Sequence, residues 1–488
     1  MADPLRLDEV LLRACAEHGA RRAVVDDSTE LTYAELASRV RARAGALDDA
    51  LGPDEQRIAL YAANSAEYLI SYYALLVAGR LPFLVDAQFG AVELEGIRTS
   101  CGVDAFLTDK PDVFPLPASA RPLPDSPYAV ARGTGPAPAA VPAPRPTTAT
   151  CRFTSGTTGA PKCLEFSHEA VHSAARTWVA GTGLGPDDRV LCLAAFTNGL
   201  AFNTSLLPVF LVGGELHLYR GLPTSGGISR AVRRAGATRL VAFPLAYRLL
   251  AEAPEPDTAA FTTVRRAVSA AAVLAPEVRD GFQSRYGVRI ADYYGIAETG
   301  PCTFERDPER TTGLGTALPG ASLRIVPQEG GEPEVRVRTE SMASCYLNVP
   351  GGLEERIDAD GYYGTGDRGR IEDGRLFVTG RLGGPINLAG RKVDPAEIEQ
   401  VVLALDGVSD TALFADHDPQ GETVLHLVLA GSREPSRGEI VAACRERLAP
   451  YKVPGRITFL DAIPRSSAGK VRLTELKVLV KDTPRPGA

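Results

Sequence analysis

Short apolar runs recur along this chain between segments of helical pattern, and that alternation constrains the fold more than any other feature. Arg57–Tyr61, Leu81–Val85 and Ala105–Leu107 read as strands, while Tyr33–Leu47, Ser65–Ala78 and Ala91–Thr99 carry apolar residues at helical spacing. That rhythm predicts an α/β architecture. It resumes after Thr154 in Val190–Ala194, Leu206–Val212, Arg239–Phe243 and Arg265–Ser269, each read as a strand followed by a helix-like segment. Eleven prolines lie between Pro111 and Pro146, which predicts an extended connection separating the first α/β unit from the next. Beyond about Gly313 the pattern turns β-rich, through Leu323–Val326, Glu334–Val337 and Leu376–Thr379. A new unit is expected near Arg381, with helices at Pro395–Leu405 and Arg437–Leu448 and strands at Thr411–Ala415, Val424–Leu429 and Arg456–Leu460.

Composition narrows the function classes. With 488 residues, 44% hydrophobic and 23% charged, the chain is long enough for two to four globular domains and is not disordered. A net charge of -7 with no long single-sign block argues against a nucleic-acid or membrane surface as its main partner. The start, MADPLRLDEV, lacks a basic segment followed by an apolar one, and the apolar stretch Tyr68 to Val85 is broken by Ser71, Gly79, Arg80 and Pro82. No export and no membrane span are expected. Eight cysteines are scattered without a C-x-x-C pair, which predicts buried, reduced thiols in a cytoplasmic protein.

The most specific local signal is Phe153-Thr154-Ser155-Gly156-Thr157-Thr158-Gly159-Ala160-Pro161-Lys162. Small hydroxylated residues and glycines let backbone N–H groups approach an anion, the hydroxyls add donors, and Lys162 supplies a point charge, which suits a polyphosphate. Composition alone also fits a solvated Ser/Thr/Gly loop. It is not a G-x-x-x-x-G-K-[ST] loop, because Lys162 stands three residues beyond Gly159.

The whole string resembles the phosphate loop of the adenylate-forming superfamily, which includes acyl-CoA synthetases, adenylation domains of peptide synthetases and luciferases. Four further segments follow in that family's order: Tyr294-Gly295-Ile296-Ala297-Glu298, Tyr363-Gly364-Thr365-Gly366-Asp367, Gly380-Arg381 leading to Pro395-Ala396-Glu397-Ile398-Glu399, and Ile463 to Lys470. The resemblance runs from about Leu31 to Leu476. It implies an N-terminal core over residues 1–381, built of α/β subdomains plus a small β-barrel-like part, and a small mobile α+β domain over residues 382–488. It also implies ATP as substrate and Mg2+ as cofactor.

Roles carry over residue by residue. Thr154, Ser155, Gly156, Thr157, Thr158, Gly159 and Lys162 match the phosphate-binding loop, Glu298 the magnesium carboxylate and Asp367 the aspartate that accepts from the ribose hydroxyls. Arg381 matches an arginine near ribose and phosphate, and Lys470 the catalytic lysine of the small domain, delivered by domain rotation. Ala271 and Ala272, with Tyr294 and Gly295, match the strips beside adenine. Phe196, Asn198, Phe202, Ala270 and Tyr293 are the candidates for the acid pocket. Ser269 to Leu274 carries alanines where the family has glycines, and their methyl groups disfavour a long straight acyl chain.

The departures bear on the substrate. Ala195-Phe196-Thr197-Asn198 lacks the aspartate that pairs with an α-ammonium in amino-acid-activating relatives, and an unpaired buried ammonium costs several kcal/mol. Asn198 falls where aryl-acid-activating members also carry asparagine, although it equally reads as a helix N-cap before Gly199. The expected substrate is therefore a small aromatic carboxylic acid, with coenzyme A or a free-standing phosphopantetheinyl carrier protein as acceptor, since nothing like a carrier attachment serine follows Lys470. Gly380-Arg381-Leu382-Gly383-Gly384-Pro385 departs from the family's usual hinge and leaves the thioester step less defined than adenylation. Asn387 replaces a frequent lysine, and Cys163 a usual glycine, the latter read as packing. Three other readings stay open: a relative that activates nitrite to diazotise an aromatic amine, an amino-acid adenylating enzyme, and a non-catalytic nucleotide binder.

Overall fold

The computed structural model describes residues 6–482 except 114–119, 134–140, 155–160, 272–273, 308–311, 329–330, 382–385, 419–421, 465–470 and 472. The chain packs as two compact units. The first is Met1–Ala87, Ile97–Thr154 and Lys162–Gly383; the second is Gln88–Gly96, Ser155–Pro161 and Gly384–Ala488.

Two sheets organise the first unit. In one, Leu81–Val85, Arg57–Tyr61 and Ala105–Thr108 run parallel, and Thr148–Thr154 joins parallel to Leu81–Val85 with Phe83 opposite Cys151. The helix Tyr33–Ala50 begins at a capping box in which Thr32 and Glu35 satisfy each other's backbone N–H groups. Helix Ala66–Val77 starts at a Ser65 cap and is buried on nearly every face. The apolar stretch thus resolves into a core helix and a strand, and no helix among the described residues is long and apolar enough to cross a membrane.

In the other sheet, Arg22–Val25, Glu215–Leu218, Arg189–Cys192, Arg239–Ala242, Arg266–Ser269 and Ile290–Ile296 are parallel neighbours. From Ile290–Ile296 the pairing turns antiparallel through Gly300–Phe304, Thr316–Ala317, Arg375–Arg381, Tyr363–Glu372, Gly331–Arg338 and Ser322–Gln328. The β-rich part read from the sequence therefore continues the parallel sheet from its edge.

Two expectations fail here. Leu206–Val212 is not a strand: Leu206 closes a π-helical turn, and Pro208–Leu211 forms a short helix with proline at its first turn. Every residue from Leu206 to Phe210 is buried, so apolar periodicity could not separate helix from strand; the strand is Glu215–Leu218. The proline-rich segment is not a mere connection either. Ala129–Ala131 is fully buried and pairs antiparallel with Ala105–Thr108, and Arg121–Pro122 adds a further edge strand. Nor does it separate two units, because Leu81–Val85 and Thr148–Thr154 on its two sides are hydrogen-bonded neighbours.

The second unit has its own core. Ile386–Leu388 and Arg391–Val393 form a hairpin whose two turn residues, Ala389 and Gly390, both have positive φ, as a type I′ turn requires. Val408–His417 pairs antiparallel with Thr423–Gly431, which pairs parallel with Arg456–Phe459. Helices Pro395–Leu403 and Arg437–Arg447 contribute Ile398, Val402, Ile440 and Cys444 to the buried cluster with Leu425 and Leu427.

Candidate active site

Strands Thr148–Thr154 and Lys162–Ser167 pair antiparallel with Thr154 opposite Lys162, so the hydroxyl- and glycine-rich segment begins and ends at adjacent positions. Ser155, Gly156, Thr157, Thr158 and Gly159 lie outside the described residues, as do Ala272 and Lys470. Lys162, at the start of the return strand, places its ammonium 5.7 Å from the centroid of the Tyr346 ring. Tyr346 lies on the two-residue strand Cys345–Tyr346, opposite Leu164, and its hydroxyl donates to Glu298 Oε1 at 2.8 Å. Burial and the Glu298 carboxylate push the Tyr346 hydroxyl far above its ordinary range, which keeps it a donor.

Glu298 is 5% exposed. It sits where Ile290–Ile296 turns back into Gly300–Phe304, and that turn is held from outside. Ala343 N–H donates to Glu298 C=O, and Thr339 and Ser341 hydroxyls both donate to Thr299 C=O. Gly300 has φ of 74°, and a Cβ there would lie 2.6 Å from Ser341 Oγ, so glycine is required by both conformation and space.

A second polar group centres on Asp367, in strand Tyr363–Glu372. Tyr294 hydroxyl donates to Asp367 Oδ2 at 2.6 Å, while Asp367 N–H donates to Thr365 Oγ1 at 2.9 Å. Thr365 hydroxyl in turn donates to Val335 C=O at 2.7 Å. Burial and the charge of Asp367 raise the Tyr294 hydroxyl well above its ordinary range. Asp367 is backbone-paired with Arg381, whose side chain lies outside the description.

Phe196 and Asn198 follow strand Arg189–Cys192, Ala270 follows strand Arg266–Ser269 and Tyr293 lies within Ile290–Ile296, and ligands of open α/β sheets bind at the carboxyl ends of such strands. Phe196, Phe202, Ala270 and Tyr293 belong to one buried apolar cluster. Ala271 adopts φ of 69°, a left-handed conformation costing a β-carbon about 1 kcal/mol. Asn198 Oδ1 accepts from Leu200 N–H at 2.8 Å, which makes it the N-cap of the short helix Gly199–Ala201. The π-helical turn Phe202–Leu206 follows, and its Asn203 donates to Tyr293 hydroxyl at 3.2 Å.

Sequence reasoning missed Tyr346 and Arg152. Tyr346 lies 48 residues beyond Glu298 with no pattern to join them. Arg152 did carry a signal, being a charge between Cys151 and Phe153 in an otherwise uncharged strand. It is 2% exposed, donates to Ala297 C=O at 3.3 Å, and lies against the rings of Phe166 and Phe202 at 4.6 and 4.1 Å.

A hydroxyl- and glycine-rich segment bracketed by paired strands, with the buried carboxylates Glu298 and Asp367, agrees with the family comparison. The family described as AMP-binding enzyme matches residues 11–347, and that described as AMP-binding enzyme C-terminal domain matches residues 397–470. The chain belongs to the AMP-binding enzyme family. It is thus a member of the adenylate-forming superfamily and an AMP-forming acid ligase. A methyl-dioxo-octahydroindenyl-propanoyl:CoA ligase of Rhodococcus jostii is 28% identical, over 97% of this chain and 98% of its own. A feruloyl-CoA synthase of Amycolatopsis is 26% identical, over 93% of this chain and 95% of its own. Among solved structures, o-succinylbenzoate CoA synthetase of Bacillus subtilis superposes with a TM-score of 0.81 at 21% identity, covering 96% of this chain and 98% of that one.

Proposed function

We propose that this AMP-binding enzyme activates a small aromatic carboxylic acid with ATP, releasing pyrophosphate, and passes the acyl group to the thiol of coenzyme A. The observation that carries the reading is the pair of polar groups in the first unit, Lys162–Tyr346–Glu298 and Tyr294–Asp367, at the carboxyl edge of the parallel sheet. The coenzyme A acceptor draws on the similarity to coenzyme A ligases, and the aromatic acid on Asn198 and on the similarity to a feruloyl-CoA synthase. A separate carrier protein is the alternative acceptor, and the compact acid suits a role in specialised-metabolite biosynthesis.

Each residue has a defined task in this reading. Lys162 and the preceding loop take the phosphates, and Asp367 accepts from the ribose hydroxyls while Tyr294 holds one of its oxygens. Glu298 suits magnesium because it is a buried carboxylate beside the Lys162–Tyr346 pair, and magnesium at phosphate sites uses one or two carboxylates. The metal, when bound, neutralises charge on the phosphates. Asn198, whose Oδ1 accepts from Leu200 N–H, is assigned to the acid pocket. Residues 1–381 bind both substrates, and residues 382–488 bring Lys470 to the carboxylate and α-phosphate.

AMP release from ATP and magnesium across benzoic, cinnamic, short aliphatic and amino acids, each with and without coenzyme A, tests the reading. Release that depends on an aromatic acid and rises with coenzyme A is expected. Release requiring nitrite and an aromatic amine, with no response to any acid alone, would replace it with the diazotising reaction. Lys470→Ala is expected to lose AMP formation while keeping ATP binding, and loss of both would contradict its role.

A further inference from the structure

Arg152 is a buried cation with no ion-pair partner among the described residues. Its guanidinium is fully enclosed, its one hydrogen bond among the described residues goes to the carbonyl of Ala297, and its Nε is buried with no acceptor. Burial lowers it to about 10, so it remains charged at neutral pH, and Glu298 acts on it only beyond ion-pair distance. An unpaired buried charge costs several kcal/mol, and contacts with two rings offset only part of that. Tyr68 lies within electrostatic range of Arg152 and is buried, with its hydroxyl unpartnered as well. Arg152 Nε and the Tyr68 hydroxyl are buried donors without a hydrogen-bond partner among the described residues, and an acceptor-only group from outside the chain would satisfy both.

The surroundings say where that group arrives. Ala297, whose carbonyl Arg152 holds, immediately precedes Glu298. Phe202, whose ring it faces, begins the π-helical turn carrying Asn203, the partner of Tyr293. A Cβ added at Gly199 would stand 3.7 Å from Arg152 Nη1 and 3.8 Å from Asn203 Nδ2, so the glycine leaves room beside both groups. Arg152 thus lies against Phe202, one of the acid-pocket candidates, and beside the residue that precedes Glu298.

We infer that Arg152, with Tyr68, receives a second carboxylate on the acid substrate, making this enzyme selective for dicarboxylic over monocarboxylic acids. The inference rests on the acid-activating reading above. The reacting carboxylate is a poorer occupant, because the cation assigned to it is Lys470.

ATP–pyrophosphate exchange with matched acids, isophthalate against benzoate and succinate against butyrate, reads the first chemical step alone. The wild type is expected to favour the dicarboxylate of the productive pair by at least about tenfold, as a hydrogen-bonded charge pair of about 1.5 kcal/mol or more requires. Arg152→Met, which keeps an apolar stem of similar length, is expected to abolish that preference, lowering exchange with the dicarboxylate at least about tenfold more than exchange with the monoacid. Arg152→Lys is expected to restore part of it. Equal loss for both members of the pair would make Arg152 a structural clamp on Ala297 and overturn the inference. Wild-type preference for the monoacid overturns it without any variant and leaves acid activation standing, whereas no exchange with any acid removes the activation reading itself.

Discussion

Tyr346 is where a single side chain decides most. Its hydroxyl is the described donor to the Glu298 carboxylate, and its ring lies beside the Lys162 ammonium, so it orients the carboxylate proposed to hold magnesium. Groups that orient a metal ligand typically affect metal affinity about 10- to 100-fold. Tyr346→Phe is therefore expected to raise the magnesium concentration for half-maximal AMP release by about tenfold or more, with melting temperature nearly unchanged; an unaltered magnesium dependence would contradict the role. Ala271 tests the neighbouring strip. Ala271→Gly relieves a left-handed β-carbon but adds freedom to the unfolded chain, two effects of about 1 kcal/mol that oppose each other. Stability should stay within about 0.5 kcal/mol while exchange with longer acids rises; a failure of longer acids to gain would show that this methyl group does not limit the pocket. At this scale the sequence offers candidates only where a motif is local. Glu298, Asp367 and Lys162 stand in short strings, whereas Tyr346 and Arg152 act through contacts between distant strands.

Among the elements, the parallel strands were legible because each is short, apolar and bounded by turn residues; Arg57–Tyr61 and Leu81–Val85 match their predicted limits. The failures share one cause. Leu206–Val212 and the buried edge strand Ala129–Ala131 take their conformation from tertiary surroundings, the first because its run is buried and the second because Ala105–Thr108 offers it an edge. What fixes one end of the parallel sheet is Asp188, which accepts from Gly185 N–H at 3.0 Å, Thr238 Oγ1 at 2.8 Å, Arg239 Nε at 2.8 Å and Arg265 Nη2 at 3.0 Å. Burial would raise this carboxyl, but Arg239 and the hydrogen bonds outweigh it and hold it below its ordinary value. The stability it contributes is present above the unfolded value near 4 and is lost as pH falls through the lower folded value. Asp188→Asn leaves Arg239 buried and unpaired, so chemical denaturation at neutral pH should show a loss of about 3 to 5 kcal/mol and a shallower acid limb. A loss below about 1 kcal/mol would show the network to be dispensable.

On the scale of the whole molecule, the two units carry different sensitivities. Within the second, Lys452 Nζ lies 2.9 Å from Glu93 and 2.8 Å from Glu397, all three buried. Burial raises Glu397 to about 7; Lys452 pulls it down, and Asp394 and Glu93 push it up. A carboxyl raised in the folded state favours folding at low pH, and that contribution declines as pH climbs from about 4.5 to about 7. Hydrogen exchange of helix Pro395–Leu403 should therefore quicken over this range in the wild type and lose that slope in Glu397→Gln; an identical slope in both would place the titration elsewhere. The ordered motifs made the family and fold class readable, while the proline-rich stretch misled because proline content reports the absence of backbone donors and not the absence of burial. The central claim is that Glu298 and Asp367 serve one acid-activating site. The most direct measurement is ATP–pyrophosphate exchange, with an acid that supports AMP release, in wild type, Glu298→Gln and Asp367→Asn. Exchange that depends on the acid and falls by about 100-fold or more in each variant, with both proteins folded, is the expected result. Exchange that survives in either variant, or proceeds without an acid, would contradict it.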